Sequence, residues 1–316
     1  MHIGDNLLSD VDASIKSGFG AYHVLNARDY LASSSMFEII NAGKSIGDRI
    51  MVGIIAKRVF GNPFIRLDKT NGIPVIMSYQ DFGYIILGPV SLGYILWLCE
   101  RCKDLGVGKV LFLAREGMFL KRLYDMIRLL FGQHELPESE YCRTSRRMGS
   151  VASLFEWDDI RFSFKRHRYF GTFKSLLYER FGVSVSEEEE ISTHMVDTNS
   201  DLEGALSLIS QYEGKILNQA KRERKAFIKY VNSICNFDDT IVALSDQGCT
   251  GTVQMAIEKL INTSGNLHGL YVCASKKLNP YCLNNFEGYT DPTIHSFLKF
   301  NHIFESVFTA PEGCYI

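Results

Sequence analysis

A chain of 316 residues with 34 lysines and arginines against 36 aspartates and glutamates carries a formal net charge of −2. Bulk charge therefore does not point to nucleic acid or an anionic membrane as a partner. With 46% of its residues hydrophobic, the chain has material for one large core or two smaller ones.

The chain opens on His2-Ile3-Gly4-Asp5-Asn6-Leu7-Leu8-Ser9-Asp10-Val11-Asp12. This leads into a short helix reaching Gly18 and a strand-like Ala21-Tyr22-His23-Val24. The segment resembles the fourth motif of the haloacid-dehalogenase (HAD) phosphatases, where a Gly-Asp and a second Asp a few residues on hold Mg²⁺. The resemblance implies that role for Asp5 and Asp10, and clustered carboxylates at the end of a strand suit a hard cation. Those enzymes also need a nucleophilic Asp in a D-x-D motif and a Lys, both upstream, and only Met1 lies upstream here. Asp10-Val11-Asp12 follows no apolar strand, and Asp68-Lys69-Thr70 comes in the wrong order. Residues 1–45, including a polar linker at 28–35, are therefore expected to be the C-terminal remnant of a HAD-like domain, without phosphatase activity.

A helix is expected over 37–60, with breaks at Pro63 and Asn71-Gly72. The most apolar stretch, 83–98, contains Gly88-Pro89 and Gly93 and falls short of the roughly 18 uninterrupted apolar residues of a membrane span. It reads as a strand or loop followed by a core helix, so no integral membrane segment is expected. Cys99 and Cys102 form a C-x-x-C with no second pair to complete a zinc site, and their apolar neighbours suggest a buried helix face. The eight scattered cysteines fit a reduced, cytoplasmic location.

Lys109-Val110-Leu111-Phe112-Leu113 is a short apolar run of the kind found in buried parallel strands. It ends in Ala114-Arg115-Glu116-Gly117, and an amphipathic helix continues over 118–131. Arg115 is placed to grip a phosphate, and Gly117 to let backbone donors approach. A mutual Arg115–Glu116 pair or a helix cap would leave the same signature. Glu140-Tyr141-Cys142-Arg143-Thr144 is a further strand candidate that runs into Ser145-Arg146-Arg147. Those arginines suit a polyanion or a solvated turn equally. Over 151–235 strand signals fade and helices dominate, at 172–181 and at 201–235 with a break near Glu213-Gly214. The acidic run at 187–190 reads as a solvated face. Basic and aromatic residues interleave at Lys165-Arg166-His167-Arg168-Tyr169-Phe170, and recognition of a second substrate is placed in this helical insert.

The apolar run Ile241-Val242-Ala243-Leu244-Ser245 ends in Asp246-Gln247-Gly248-Cys249-Thr250-Gly251-Thr252 and opens into a helix to about 261. Unpaired N–H groups and the helix dipole at such a loop favour an anion. An ordinary strand-to-helix turn capped by Thr has the same spacing. Strands are expected again at 267–274 and 285–289. The chain then stops without a capping element, so truncation is expected at this end too.

Leu113-Ala114-Arg115-Glu116-Gly117, Thr144-Ser145-Arg146-Arg147 and Asp246-to-Thr252 together carry a wider resemblance. The chain resembles a group of bacterial predicted HAD-superfamily hydrolases found with polysaccharide-biosynthesis proteins. In these a HAD domain precedes a second domain that is similar to the phosphoribosyltransferase fold. The resemblance implies an α/β domain over 46–316, a mostly parallel sheet flanked by helices with a helical insert at about 151–235. It also implies Mg²⁺-dependent transfer of 5-phosphoribosyl from phosphoribosyl pyrophosphate (PRPP) to a glycan acceptor of the bacterial surface, with a phosphatase acting afterwards. By that resemblance Gly248, Thr250, Gly251 and Thr252 cradle the 5-phosphate, and Asp246 meets the ribose hydroxyls or their Mg²⁺. Gln247 stands where such enzymes usually carry a second acid. Arg115, Glu116 and Gly117 form the pyrophosphate loop. Ser145, Arg146 and Arg147 face the leaving pyrophosphate, and Glu305 and Glu312 are candidates for a base or acceptor contact. A HAD-type phosphatase and a non-catalytic remnant are the alternative readings.

Overall fold

The computed structural model describes residues 1–62, 67–132, 134–166, 168–186, 189–248, 251–261, 263, 265–275, 283, 285–291 and 301–311. These divide into two units, Met1–Gly93 and Tyr94–Ile316, a boundary well beyond residue 45.

In the first unit β1 (His2–Gly4) leads through a π-helical turn, Leu7–Asp12, into α1 (Ala13–Lys16) and β2 (Ala21–His23). The two strands pair in parallel, His2 opposite Ala21 and Gly4 opposite His23. α2 (Ala27–Ala32) and α4 (Ile46–Phe60) each begin with a reciprocal capping box, Asn26 with Asp29 and Ser45 with Asp48. α3 (Ile39–Ala42) precedes α4, and Gly43 ends it in extended backbone. The helix expected over 37–60 is therefore two. The Ser45 side chain gives the amides of a new helix start the partner that continued winding would have given. Leu31, Ala56 and Phe60 form the buried centre where α2 meets α4.

α5 (Tyr79–Phe82) winds through a π-helical segment, Gly83–Leu87, into α6 (Gly88–Leu105). This corrects the strand or loop expected at 83–88. The Gly88 N–H reaches back to the Gly83 carbonyl, and this wider turn lets the helix run on through Pro89, which has no N–H to give. Tyr79–Leu105 is thus 27 helical residues, the one helix among the described residues long and apolar enough to cross a membrane by length and composition.

The second unit is built on β3 (Val107–Leu113), α7 (Gly117–Phe131), β4 (Glu138–Cys142) and α8 (Arg146–Ala152). The insert follows as α9 (Trp157–Arg166), β5 (Phe170–Thr172), α10 (Phe173–Phe181), β6 (Met195–Asp197), α11 (Leu202–Ser210) and α12 (Glu213–Ile234). β7 (Ile241–Asp246), α13 (Thr252–Leu260), β8 (Leu267–Cys273), β9 (Phe286–Thr290) and α14 (Asn301–Phe308) complete it. The sheet runs in the order β4-β3-β7-β8-β9, and each of its pairings is parallel. Parallel strands are covered on both faces, which is why Val110–Leu113 and Val242–Ser245 are buried without alternation.

Leu111, Leu113, Val242 and Leu244 pack with Phe227, Val231, Val253 and Ile257 in one core. The other end of α6 closes on the sheet as well. Tyr94, Ile95, Leu98, Cys99 and Cys102 are buried, at the spacing of one helix face. The Tyr94 hydroxyl lies 2.7 Å from Ser245 Oγ and donates to the Leu270 carbonyl at 2.8 Å. Burial pushes the Cys99 thiol up to about 11 and the Cys102 thiol to about 12, which leaves both inert as nucleophiles. The insert has its own core around Phe164, Phe173, Leu177, Phe181 and Ile216. Its antiparallel pair β5–β6 is too short and too mixed in composition to read from the sequence.

Candidate functional site at the carboxyl edge of the sheet

Register decides where the three singled-out segments meet. Leu113 lies opposite Cys142, Phe112 opposite Ser245, and Asp246 opposite Tyr271. The segments after β3, β4 and β7 therefore leave the same edge of the sheet from three adjacent strands. From β3 the chain moves outward to β4, then crosses back to β7 on the other side of β3. The gap between β3 and β7 is the topological switch point, the place on an open parallel sheet where a ligand crevice forms.

At this edge Asp246 is partly exposed at the end of β7, and its Oδ1 accepts the Gln247 N–H at 2.7 Å. Burial pushes its carboxyl up from an ordinary 3.8 to about 7, and the charge of Glu116 pushes the same way. Arg146 and the N–H groups of Gln247 and Gly248 oppose that rise. Asp246, Glu116 and Arg146 thus feel one another across the ends of β7, β3 and β4. Asp246 and Arg146 both approach Gly248. A methyl group there would lie 3.2 Å from an Asp246 carboxylate oxygen and 3.4 Å from an Arg146 guanidinium nitrogen. Any side chain would intrude between acid and base.

On the β3 side the Ala114–Arg115 peptide is cis, and the Arg115 N–H donates to the Glu116 carboxylate at 3.2 Å. That contact runs from backbone to side chain, so Arg115 and Glu116 are not an ion pair of the kind the sequence left open. Gly117 starts α7 so close to the strand end that a Cβ would stand 2.8 Å from the Phe112 carbonyl carbon. Its smallness therefore serves helix-on-strand packing.

Ser145 caps α8 by accepting the Met148 N–H at 3.1 Å. The two arginines that follow part company. Arg146 is exposed and lies beside Gly248. Arg147 turns away and binds Glu223 of α12 through both terminal nitrogens, at 2.9 and 3.2 Å. It is therefore a structural cation first, and its Nε is buried without a hydrogen bond among the described residues.

Gly251 has φ +66° and caps α13, a left-handed conformation natural to glycine. Thr252, the first residue of that helix, is 6% exposed. Gln247 is buried beneath the loop. Thr250 and Cys249 lie outside the described residues, as does Glu312. Glu305 is half-buried on α14, an element held to α7 by Phe308 stacked on Phe119, ring centres 4.8 Å apart.

In the first unit Asp5 is exposed and its carbonyl accepts from His23 at 3.1 Å. The Asp10 carboxylate accepts the Asn6 N–H at 2.9 Å, and that bond is the main reason its pKa is lowered. A carboxylate turned onto its own backbone caps a turn. Among the described residues no group of three or more His, Cys, Asp or Glu gathers where a metal ion would sit.

Beside the edge lies a cavity of about 520 Å³ walled by α8, α9, α10 and the start of α13. Arg146, Arg147, Arg168 and Arg180 line it with one acid, Glu179, and with Thr252. Arg168 belongs to the basic and aromatic run read from the sequence. Arg180 gave no signal there, being one of two cations, with Lys174, in a short and otherwise ordinary helix. No protein-family model matches the chain, and no curated protein matches it.

Proposed function

We propose that the second unit binds a phosphorylated sugar donor of the PRPP type at the edge between β3 and β7 and transfers its phosphoribosyl group to a glycan acceptor. The observation that carries this reading is the meeting of Arg146, Gly248, Asp246 and Glu116 at a switch point, where backbone, cation and acid converge on one space. A pyrophosphate leaving an anomeric carbon needs positive charge on its oxygens more than it needs a strong base. Arg115 and Arg146 supply that charge, while Gly248, Gly251 and Thr252 hold the 5-phosphate. Asp246 takes the ribose hydroxyls. As the pyrophosphate departs with the bonding pair, an acceptor hydroxyl bonds to the anomeric carbon and gives its proton to a base, for which Glu305 is the candidate. The product is a 5-phosphoribosylated glycan of the bacterial surface, on which a separate phosphatase would act.

The residues present fit Mg²⁺ delivered with the substrate. Asp246 and Glu116 are two carboxyls whose mutual repulsion a cation relieves, and Mg²⁺ usually binds through one or two carboxylates plus phosphate oxygens. When bound it supplies further neutralisation of the leaving group.

Calorimetric titration of the whole chain with PRPP and Mg²⁺ tests the reading, beside Asp246→Asn and Arg115→Ala. Binding near micromolar, about −8 kcal/mol, and lost in both variants is the expected result. A folded wild-type chain that does not bind PRPP ends the proposal.

A further inference from the structure

The cavity between α8, α9, α10 and α13 is too basic to be plain packing space. Four guanidiniums line it or back it, from Arg146, Arg147, Arg168 and Arg180, against Glu179 on the wall and Glu223 behind Arg147. The arginines are also held in place. Arg168 donates to the Thr198 carbonyl at 2.6 Å and Arg180 to the Arg168 carbonyl at 2.8 Å. The Arg180 guanidinium lies 5.8 Å from the Tyr169 ring centre and 5.9 Å from that of Phe164. Arg146 and Arg168 are exposed and Arg147 and Arg180 half-buried; holding the half-buried pair costs desolvation that an anion in the cavity would offset, and the Nε of Arg147 is buried there without a hydrogen bond among the described residues. The volume, about 520 Å³, falls within the roughly 300–1,000 Å³ of small-molecule sites.

We infer that this cavity is a second subsite, distinct from the Asp246 loop, and that it takes the phosphate group of a phosphorylated sugar on the acceptor side. Planar guanidinium forks match phosphate oxygens two at a time, and among the described residues the excess of guanidiniums over carboxylates matches a phosphate dianion better than a single carboxylate. Arg146 and Thr252 belong to both the cavity and the edge of the donor loop, so a ligand anchored here points its sugar toward the space above Asp246. The label "acceptor side" rests on the transferase reading. The phosphate subsite itself does not.

The test is calorimetric titration of the whole chain with glucose 6-phosphate, with glucose and glucuronate as controls. Wild type, Arg168→Gln, Ser150→Asp and Arg115→Ala are compared, each first shown by circular dichroism and thermal melting to be folded. Ser150→Asp adds a charge to the cavity wall without removing a supporting arginine, so it remains informative if Arg168→Gln does not fold. Glucose 6-phosphate should bind wild type and Arg115→Ala alike and lose about tenfold or more in Arg168→Gln and Ser150→Asp, the scale of one charged hydrogen bond. Glucose should not bind, and glucuronate should bind at least about tenfold more weakly. Unchanged affinity in both cavity variants, equal binding of glucuronate, or no binding by folded wild type would overturn the subsite. If PRPP fails to bind while glucose 6-phosphate behaves as expected, the donor reading falls and this one stands.

Discussion

Asp246 shows how one carboxyl side chain can cost the fold stability. Its carboxyl titrates near 7 in the folded chain and near 3.8 in an ordinary environment. Between those values the folded state holds a proton that the unfolded state has lost. Stability is therefore greatest below about pH 4 on this account and falls as pH rises toward 7. Every tenfold gain in proton affinity on folding corresponds to about 1.4 kcal/mol, so the ionised form costs the fold on the order of a few kcal/mol. Asn cannot ionise and keeps an oxygen to accept the Gln247 N–H. Asp246→Asn should therefore raise the melting temperature at pH 8, by about 2–4 °C per kcal/mol recovered, and leave it unchanged at pH 4. Thermal melts at the two pH values decide this. An equal change at both, or a lower melting temperature at pH 8, would show that the carboxylate is not under strain.

Among elements, the contact that matters most for the site is α8 against α13. Gly149 is the crossing point, where an added Cβ would come within 3.1 Å of the Ala256 Cβ. That closeness brings the start of α8, with Arg146, up to the loop that ends in Gly251. A single methyl there gains helix propensity of up to about 1 kcal/mol and loses a similar amount to crowding, so Gly149→Ala should be nearly neutral. Gly149→Val adds branched bulk that the rigid Ala256 backbone cannot absorb and should cost about 1–3 kcal/mol. It should also weaken any ligand that bridges Arg146 and Gly248. Urea midpoints for the two variants check the argument, and equal midpoints would refute it.

The same elements show what the sequence could and could not reveal. The apolar runs 109–113 and 241–245 were readable as strands because nothing polar interrupts them, and their terminal Gly and charged residues marked the loops. Adjacent residues on a helix point about 100° apart, so sequence could not tell Arg146, at the edge, from Arg147, tied to Glu223. Continuity of the helix through Gly88-Pro89 was hidden because it depends on a π-turn, which has no residue signature. Arg180 became visible only once α10 had been packed beside α8.

At the scale of the whole molecule, stability and candidate chemistry concentrate on the same strands. β3, β7 and β8 are each paired on both sides and almost wholly buried, and the loops that carry Arg115 and Asp246 begin at the ends of β3 and β7. β1 and β2 are the opposite case within their own unit. They form a two-stranded ribbon with Ile3 57%, Phe19 64% and Tyr22 61% exposed in and around it. A two-stranded pair without cover is marginal in water, and parallel pairs are normally buried on both faces. Local opening should then be cheap at the ribbon and should approach the cost of global unfolding in the central strands. Hydrogen exchange read residue by residue should find the amides of 110–113, 242–245 and 269–272 exchanging slowest. Those of 2–4 and 21–23 should exchange at least about a hundredfold faster, as expected when opening costs roughly 3 kcal/mol less. Protection of the ribbon equal to that of β7 would mean that its strands are covered by something other than their own unit's packing.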